Sequence, residues 1–240
     1  MTTAARLAAC ALAALLAVGC RSLGDAPTAI GASGHDVEFT QSDAEDLKGL
    51  IESGDLVRAE KLAARLFGDG GEERSASDIH ADFAALLEQV GRPDDAEMVL
   101  MNALLDDPKS PRLLNHLAYH WAVRDMELER AEVLVKKALA QCPDDPAYLD
   151  TLGWICYRQE RYPEAWQNIA RALDLNGPDP EILDHLGDVL YAMGDDSLAI
   201  CAWLDSLSSK ADQPRVVEKL RDAWTPFLEA VMEEREGRDQ

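Results

Sequence analysis

The stretch LGWICYRQERYPEAWQNIARAL, residues 152–173, returns 34 residues later as LGDVLYAMGDDSLAICAWLDSL, residues 186–207. The two copies share a leucine–glycine pair, a tyrosine, an alanine and a closing leucine at equivalent positions. A fixed period of this length is typical of proteins that stack one helical unit on the next. The sequence therefore predicts a repeat architecture.

Each predicted unit begins with the same local signal. A capping residue followed by proline recurs at spacings of 35 and 34, in Ser110-Pro111, Asp145-Pro146 and Asp179-Pro180. The capping side chain accepts hydrogen bonds from backbone N–H groups, and proline lacks the N–H that the first helical turn would leave unpaired. A first helix of about a dozen residues follows, and then a turn and a second helix.

The second helix of each unit carries apolar or small residues at i, i+4, i+7 and i+8. Examples are Ala165, Ile169, Ala172 and Leu173, and one period later Ala199, Trp203, Ser206 and Leu207. The small residues let neighbouring helices approach closely, and the stripe is wide enough to be buried against two neighbours. A single hairpin of this kind cannot bury both faces, so several must stack.

These residues resemble the tetratricopeptide repeat (TPR) family, whose units carry small residues at fixed places in both helices. Three sets fit that pattern directly and a fourth fits with one extra turn residue: Gly153, Ala165 and Ala172; Gly187, Ala199 and Ser206; Ala84, Ala96 and Ala103; and Ala118, Ala131 and Ala138. A degenerate first copy includes Leu47 and Ala59. Glu160 and Asp125 replace the turn glycines of the family, which we expect to change local turn geometry.

The resemblance implies an all-α fold, a right-handed α-solenoid of about five TPR helix hairpins. It covers residues 42–210, with units at about 42–68, 77–109, 110–144, 145–178 and 179–210. Residues 211–240 are predicted to form a C-terminal capping helix with a polar tail. Its apolar residues at helical spacing are Val217, Leu220, Trp224, Phe227, Leu228 and Val231, and Pro226 is expected to kink or split it.

The first 19 residues differ in composition from the rest of the chain. Residues 7–18 form an unbroken apolar run, which is too short to span a bilayer and fits the apolar region of a secretory signal. The run ends in LAVGC, which resembles the lipobox of bacterial lipoproteins. The resemblance implies that 1–19 is a signal peptide and that Cys20 is lipidated, for example with palmitate. The alternative is an ordinary secretory signal in which Cys20 is incidental. LAAC at residues 7–10 also fits the lipobox, but too few residues precede Cys10 to form the apolar region of a signal.

Residues 20–41 follow as the lipidated cysteine and a flexible tether. They are rich in glycine, serine, alanine and threonine and show no apolar period. Arg21 stands where some Gram-negative lipoproteins carry an aspartate that retains them in the inner membrane. The resemblance thus implies a lipid anchor in the outer membrane, with the folded part facing the periplasm.

The acidic charge of the chain argues against a nucleic-acid-binding function. The formal net charge is −22 and the pI is about 4.4, so the surface repels nucleic acid. The acidic surface either keeps the protein soluble or forms a patch for a basic partner.

The cysteines that follow the first 20 residues do not predict a disulfide framework, because Cys142, Cys156 and Cys201 are odd in number and irregularly spaced. Cys156 fits a small core residue, and a Cys156–Cys201 bridge is the alternative.

The TPR resemblance also implies where a partner binds. First helices of TPR units line a concave face that holds partner segments, and aromatic residues with a few polar groups suit such a surface. The candidate residues are Asn115, Tyr119, Asp150, Trp154, Tyr157, Arg158, Asp184, Asp188 and Tyr191. The alternatives are that Trp154 and Tyr157 only pack between helices and that the acids are solvated surface.

An enzymatic function has little support in the sequence. His116 and His120 lie four residues apart on one predicted helix, a spacing that can hold a metal, but no third ligand or catalytic glutamate accompanies them. We find no phosphate loop, nucleophile elbow or zinc pattern and predict no cofactor. The sequence predicts a membrane-anchored scaffold or adaptor that binds another envelope protein. An assembly factor of a secretion or pilus machine, and a metal-dependent hydrolase, are the alternatives.

Overall fold

The protein is all-helical in the part that the computed structural model describes, residues 41–68 and 74–224. Ten helices have the bounds α1 Gln41–Ser53, α2 Leu56–Gly68, α3 Ala76–Gln89, α4 Pro93–Asp106, α5 Pro111–Val123, α6 Leu128–Leu139, α7 Pro146–Arg158, α8 Tyr162–Asn176, α9 Pro180–Ala192 and α10 Asp196–Ser209. An eleventh, α11, spans 214–224, and these two ranges contain no strand. The predicted all-α class is confirmed. The predicted signal peptide, Cys20, the predicted tether and residues 225–240 lie outside the described residues.

The capping residues act as the sequence predicts. The Asp145 side chain accepts hydrogen bonds from the backbone N–H groups of Ala147 and Tyr148, at 3.0 and 3.2 Å. The Asp179 side chain does the same at the start of α9, and a proline occupies the first turn of both helices. Each cap pairs backbone donors that a helix start leaves without an intrahelical partner.

The chain divides between His116 and Leu117 into two compact units. In the first unit, α1 packs on α2, α2 on α3 and α3 on α4. Its largest fully buried side chains are Leu47, Ile51, Phe83, Leu87, Leu100 and Leu113. The guanidinium of Arg112, at the start of α5, pairs with the carboxylates of Asp78 and Asp82 on α3.

The second unit contains the last part of α5, from Leu117, together with α6 to α11, and is built on two close hairpins. α7 packs on α8, α9 packs on α10, and α9 also contacts α7 and α8. The small residues of the predicted pattern lie at these contacts: Ala165, Ala172, Ala199 and Ser206 are all fully buried. Gly153 faces Ile169 and Gly187 faces Trp203, so each glycine makes room for a larger side chain of the following helix.

The turns keep a residue in the left-handed region even where glycine is absent. Glu160 and Asp125 adopt φ values of 60° and 58°, in the left-handed region that Gly91 and Gly194 also occupy, at 78° and 84°. The expectation that the replacement changes the local turn geometry is therefore wrong for Glu160, whereas the turn at Asp125 contains a second left-handed residue, Glu127, with φ 47°. The backbone keeps the turn, and the non-glycine residue adopts a conformation that costs about 1 kcal/mol.

The cysteines of the second unit are free thiols. Cys156 is buried in the core between α7 and α8, as a small core residue would be, whereas Cys201 is exposed on α10. The alternative Cys156–Cys201 disulfide is not formed. Burial raises the pKa of the Cys156 thiol, against the opposing effect of the neighbouring Arg161.

Helix α11 packs one side against the second unit and leaves the other exposed. Val216 and Ala223 are buried against α9 and α10, whereas Val217 and Trp224 are 50% and 43% exposed. Leu220 of the predicted apolar set is partly buried and packs against the same cluster, so the members of that set lie on different sides of α11. Among the described helices, none has both the length and the apolar content that crossing a bilayer requires.

Candidate partner-binding face

Five aromatic rings form a continuous row on the first helices α5, α7 and α9 and at the start of the second helix α8. Trp154 on α7 stacks on Tyr157 with centroids 4.8 Å apart, and on His185 of α9 at 4.3 Å. Tyr162 extends the row beyond Tyr157 at 5.9 Å, and Tyr119 of α5 extends it beyond His185 at 6.4 Å. We call these residues the ring row. His185 is buried, and the other four rings are partly exposed.

The ring row rests on a buried ion pair between two first helices. The Nδ1 of His185 lies 3.0 and 2.9 Å from the two carboxylate oxygens of Asp150. Both side chains are more than 90% buried. Burial alone favours the neutral imidazole, but the charge and hydrogen bond of Asp150 outweigh it and raise the pKa of His185 to about 9. His185 is therefore an imidazolium at neutral pH and fixes the ring on which Trp154 stacks.

A second ion-pair cluster lies one period further along the chain. The ammonium of Lys219 on α11 donates to the carboxylates of Asp184 and Asp188, each at 2.7 Å. Asp188 also accepts from the indole N–H of Trp203 at 3.3 Å. Burial raises the pKa of Asp188, against the lowering effect of Lys219. Both acids are therefore engaged by the chain itself.

The edges of the ring row are fixed by polar contacts as well. The hydroxyl of Tyr119 donates to Glu181 at 2.6 Å. The guanidinium of Arg158 lies 5.9 Å from the ring centre of Trp154 and pairs with Asp125 at 3.2 Å. The indole N–H of Trp154 is buried and has no acceptor among the described residues. An unpaired buried donor of this kind is unusual and marks a place where a ligand oxygen would be favoured.

The remaining candidates lie apart from the ring row. Tyr191 is 45% exposed and is tilted against Trp203 on α10. Asn115 belongs to the first unit, where it is buried with an Oδ1 that accepts no hydrogen bond in the described part of the chain. The structure thus groups Tyr119, Trp154 and Tyr157 closely, and pairs the candidate acids with cations of the same chain.

Sequence reasoning missed the residues that complete this face. They are His185, Lys219, Glu181 and Tyr162. A signal was present, because Asp150 and His185, and likewise Asp184 and Lys219, stand 35 residues apart. This spacing is one residue more than the period, so Asp150 meets a cation on the next first helix and Asp184 meets one on α11.

The two histidines of α5 show no metal site. His120 is buried, and its Nε2 lies 3.2 Å from the guanidinium of Arg124. Burial lowers the pKa of His116, as does the charge of Arg112. Among residues 41–68 and 74–224, no group of three or more histidine, cysteine or acidic side chains is placed to hold a metal ion.

Solved structures with the same arrangement of helices identify the fold. A thermophilic TPR protein of Thermus thermophilus superposes with a TM-score of 0.56 at 17% identity, over 77% of this chain and 98% of that one. The fold is that of tetratricopeptide repeats. Pseudomonas aeruginosa pilF gives a TM-score of 0.50 at 18% identity, over 76% of this chain and 85% of that one.

The sequence comparison agrees over a shorter range. A TPR repeat-containing protein of Pseudomonas aeruginosa is 40% identical over 82 residues, which is 34% of this chain. The matched part spans only 14% of the length of that relative. No family profile matches the chain. The TPR fold suggests a scaffold for protein–protein interaction.

Proposed function

We propose that the protein is a lipid-anchored scaffold of the bacterial envelope, which binds another envelope protein on the first-helix face of its second unit. The observation that carries the binding site is the ring row, with four partly exposed aromatic side chains held in fixed positions. Large, rigid aromatic side chains contribute most of the binding energy at protein interfaces, since they bury much area at little cost in entropy. The ring row therefore supplies the anchor points.

The charges around the ring row support the same proposal. Cations of the same chain pair with Asp150, Asp184 and Asp188. These acids therefore orient the rings and the helices, and a bound partner would not leave an unpaired carboxylate buried. The partner segment that fits is one with apolar or aromatic side chains and backbone carbonyls that accept hydrogen bonds. The indole N–H of Trp154 is the donor that such a carbonyl would meet after a small shift of the ring.

The anchor is proposed from the sequence. The apolar run of residues 7–18 and the LAVGC box at Cys20 fit a lipoprotein signal, and the tether that follows keeps the folded part close to the membrane. A tether of 20 residues would have a root-mean-square reach of about 25 Å as a random coil. Anchoring would hold the scaffold and its partner at the envelope surface and raise their effective concentration.

Replacing Trp154 and Tyr157 together by alanine is expected to abolish capture of the partner. The full-length protein is cross-linked in intact cells, solubilised, isolated and compared with the double variant by mass spectrometry. Removing two of the five rings takes away the central contact of the ring row. Interface hot spots of this kind cost about 2 kcal/mol or more each, which raises the dissociation constant by more than tenfold.

The matched control is Trp166→Ala, which removes an exposed tryptophan of α8 outside the ring row. Circular dichroism and thermal melting confirm that each variant folds. A partner that the control keeps and the double variant loses supports the ring row as the binding site. A partner that both variants keep in equal amount would place binding elsewhere and contradict the proposal.

Replacing Cys20 by serine is expected to move the protein from the membrane fraction to the soluble fraction. Serine has no thiol, so no thioether lipid can be attached, and a single residue change removes the anchor. Fractionation with immunoblotting measures the distribution, and metabolic labelling with a palmitate analogue measures the lipid directly. Cys10→Ser is the control and should leave both readings unchanged. Equal membrane retention of both variants would rule out the anchor at Cys20.

A further inference from the structure

The second helix of the second hairpin, α4, presents an apolar stripe to solvent. Met98, Met101 and Leu105 are 54%, 48% and 80% exposed. Their spacing of three and four residues places them on one side of the helix. The opposite side of α4 is the one that packs on α3, through buried Ala96 and Leu100. We call the three exposed residues the outer stripe. The contact between α3 and α4 forms without these three side chains.

The other hairpins show that the repeat pattern does not require this stripe. Equivalent positions follow from the buried alanines that open the common pattern, Ala96, Ala131, Ala165 and Ala199. The residues equivalent to Met98, Met101 and Leu105 are Val133 and Lys136 on α6 with Ala140 directly after it, Gln167, Ala170 and Asp174 on α8, and Cys201, Leu204 and Ser208 on α10. Among these four second helices, α4 alone carries long apolar side chains at all three positions.

The ends of the outer stripe are acidic. Asp94 lies one turn before Met98 on the same side of α4, and Asp106 follows Leu105, and both are exposed. Asp94 and Asp106 are 12 residues apart, which corresponds to about 18 Å along the helix. The net charge of the whole chain, −22, has the same sign. A ligand that covers the outer stripe therefore meets apolar surface in the middle and negative charge at both ends.

We propose that the outer stripe docks an amphipathic helix of a partner protein, about three turns long, with basic residues flanking its apolar ridge. Methionine suits this task because its unbranched thioether adapts to different apolar surfaces. Helix binding through apolar residues at i, i+3 and i+7 is a common mode of recognition. A second copy of this chain fits less well, because two-fold pairing of α4 would bring Asp94 of one copy beside Asp106 of the other. The site lies in the first unit and is independent of the ring row.

The test uses a labelled leucine–lysine peptide of about four helical turns as the probe. The full-length protein is held in nanodiscs of neutral phosphatidylcholine, with empty nanodiscs as the background, and binding is measured by fluorescence anisotropy. The variant Met98→Gln/Met101→Ala/Leu105→Ser replaces the outer stripe by residues that α8 and α10 carry at the same positions. It leaves the net charge unchanged, and all three positions are exposed, so the fold is retained. Thermal melting verifies this.

The expected result is a dissociation constant at least about tenfold higher for the variant than for the natural chain. A leucine–glutamate peptide of the same pattern should bind at least about tenfold more weakly than the lysine peptide. A photoreactive group in the lysine peptide should label residues 93–106. Equal binding of the lysine peptide by both proteins would reduce the effect to general charge attraction and overturn the proposal. A wild-type dimer that the variant converts to a monomer would assign the outer stripe to a second copy instead.

Discussion

Replacing Gly153 by leucine is expected to lower the free energy of unfolding by about 3 kcal/mol. A Cβ atom added at Gly153 would lie 2.5 Å from Cγ1 of Ile169 and 3.1 Å from the carbonyl oxygen of Ala165. The Ile169 side chain can rotate, but the carbonyl belongs to the backbone of α8 and can move only with the helix. The larger leucine therefore separates α7 from α8 at their closest approach. Urea unfolding followed by circular dichroism measures the change.

The matched control is the same substitution at Gly49, a helical glycine of α1 with no atom within 4 Å of an added Cβ. Gly49→Leu is expected to keep or raise the stability, by up to about 1 kcal/mol, because leucine favours helix over glycine. The free energy of unfolding is thus expected to fall for Gly153→Leu and not for Gly49→Leu. An unchanged unfolding midpoint for Gly153→Leu would contradict the packing of α7 on α8, and an equal loss in both variants would show that leucine is harmful at either position for another reason.

Local signals explain why the fold is predictable from the sequence. The caps at Asp145 and Asp179 and the fully buried Ala165 and Ala199 are determined by residues a few positions away, and the 34-residue period repeats them. Agreement between local preference and overall fold is what makes a sequence specify one structure. The exception is Glu160, for which the absence of glycine suggested a changed turn. Hydrogen bonds from the turn to the end of α7 hold Glu160 at a positive φ.

The contacts of the candidate face were less predictable, because they join residues far apart in the chain. The period placed Asp150 and Asp184 on the first helices, but it did not show that His185 and Lys219 would neutralise them. Whether an acid faces solvent or a cation depends on the side-chain directions of two different helices. The same limit applies to α11, where Leu220 packs on the core and Val217 and Trp224 are exposed. An apolar spacing on an amphipathic helix does not determine which of its residues the neighbouring helices cover.

Raising the pH from 6 to 9 is expected to remove about 3 kcal/mol from the free energy of unfolding, through the Asp150–His185 ion pair. The pKa of His185 is raised from 6.5 to about 9 in the folded protein. A group whose pKa is higher in the folded state contributes its full stability below the unfolded value, near pH 6.5. That contribution is lost as the pH rises through about 9. Urea unfolding at several pH values measures the slope.

The variant His185→Gln separates this ion pair from all other titrating groups. Glutamine cannot titrate, so the variant should be less stable than the natural chain at pH 6 and nearly equal to it at pH 9.5. Asp150, Glu181 and Asp184 all favour the charged imidazole, the first by direct contact and the other two through their charge. Burial of the Cys156 thiol adds a slope of its own above pH 9, which remains in the variant and can be subtracted. If both proteins lost stability equally between pH 6 and 9, His185 would not carry the charge that holds the ring row in place.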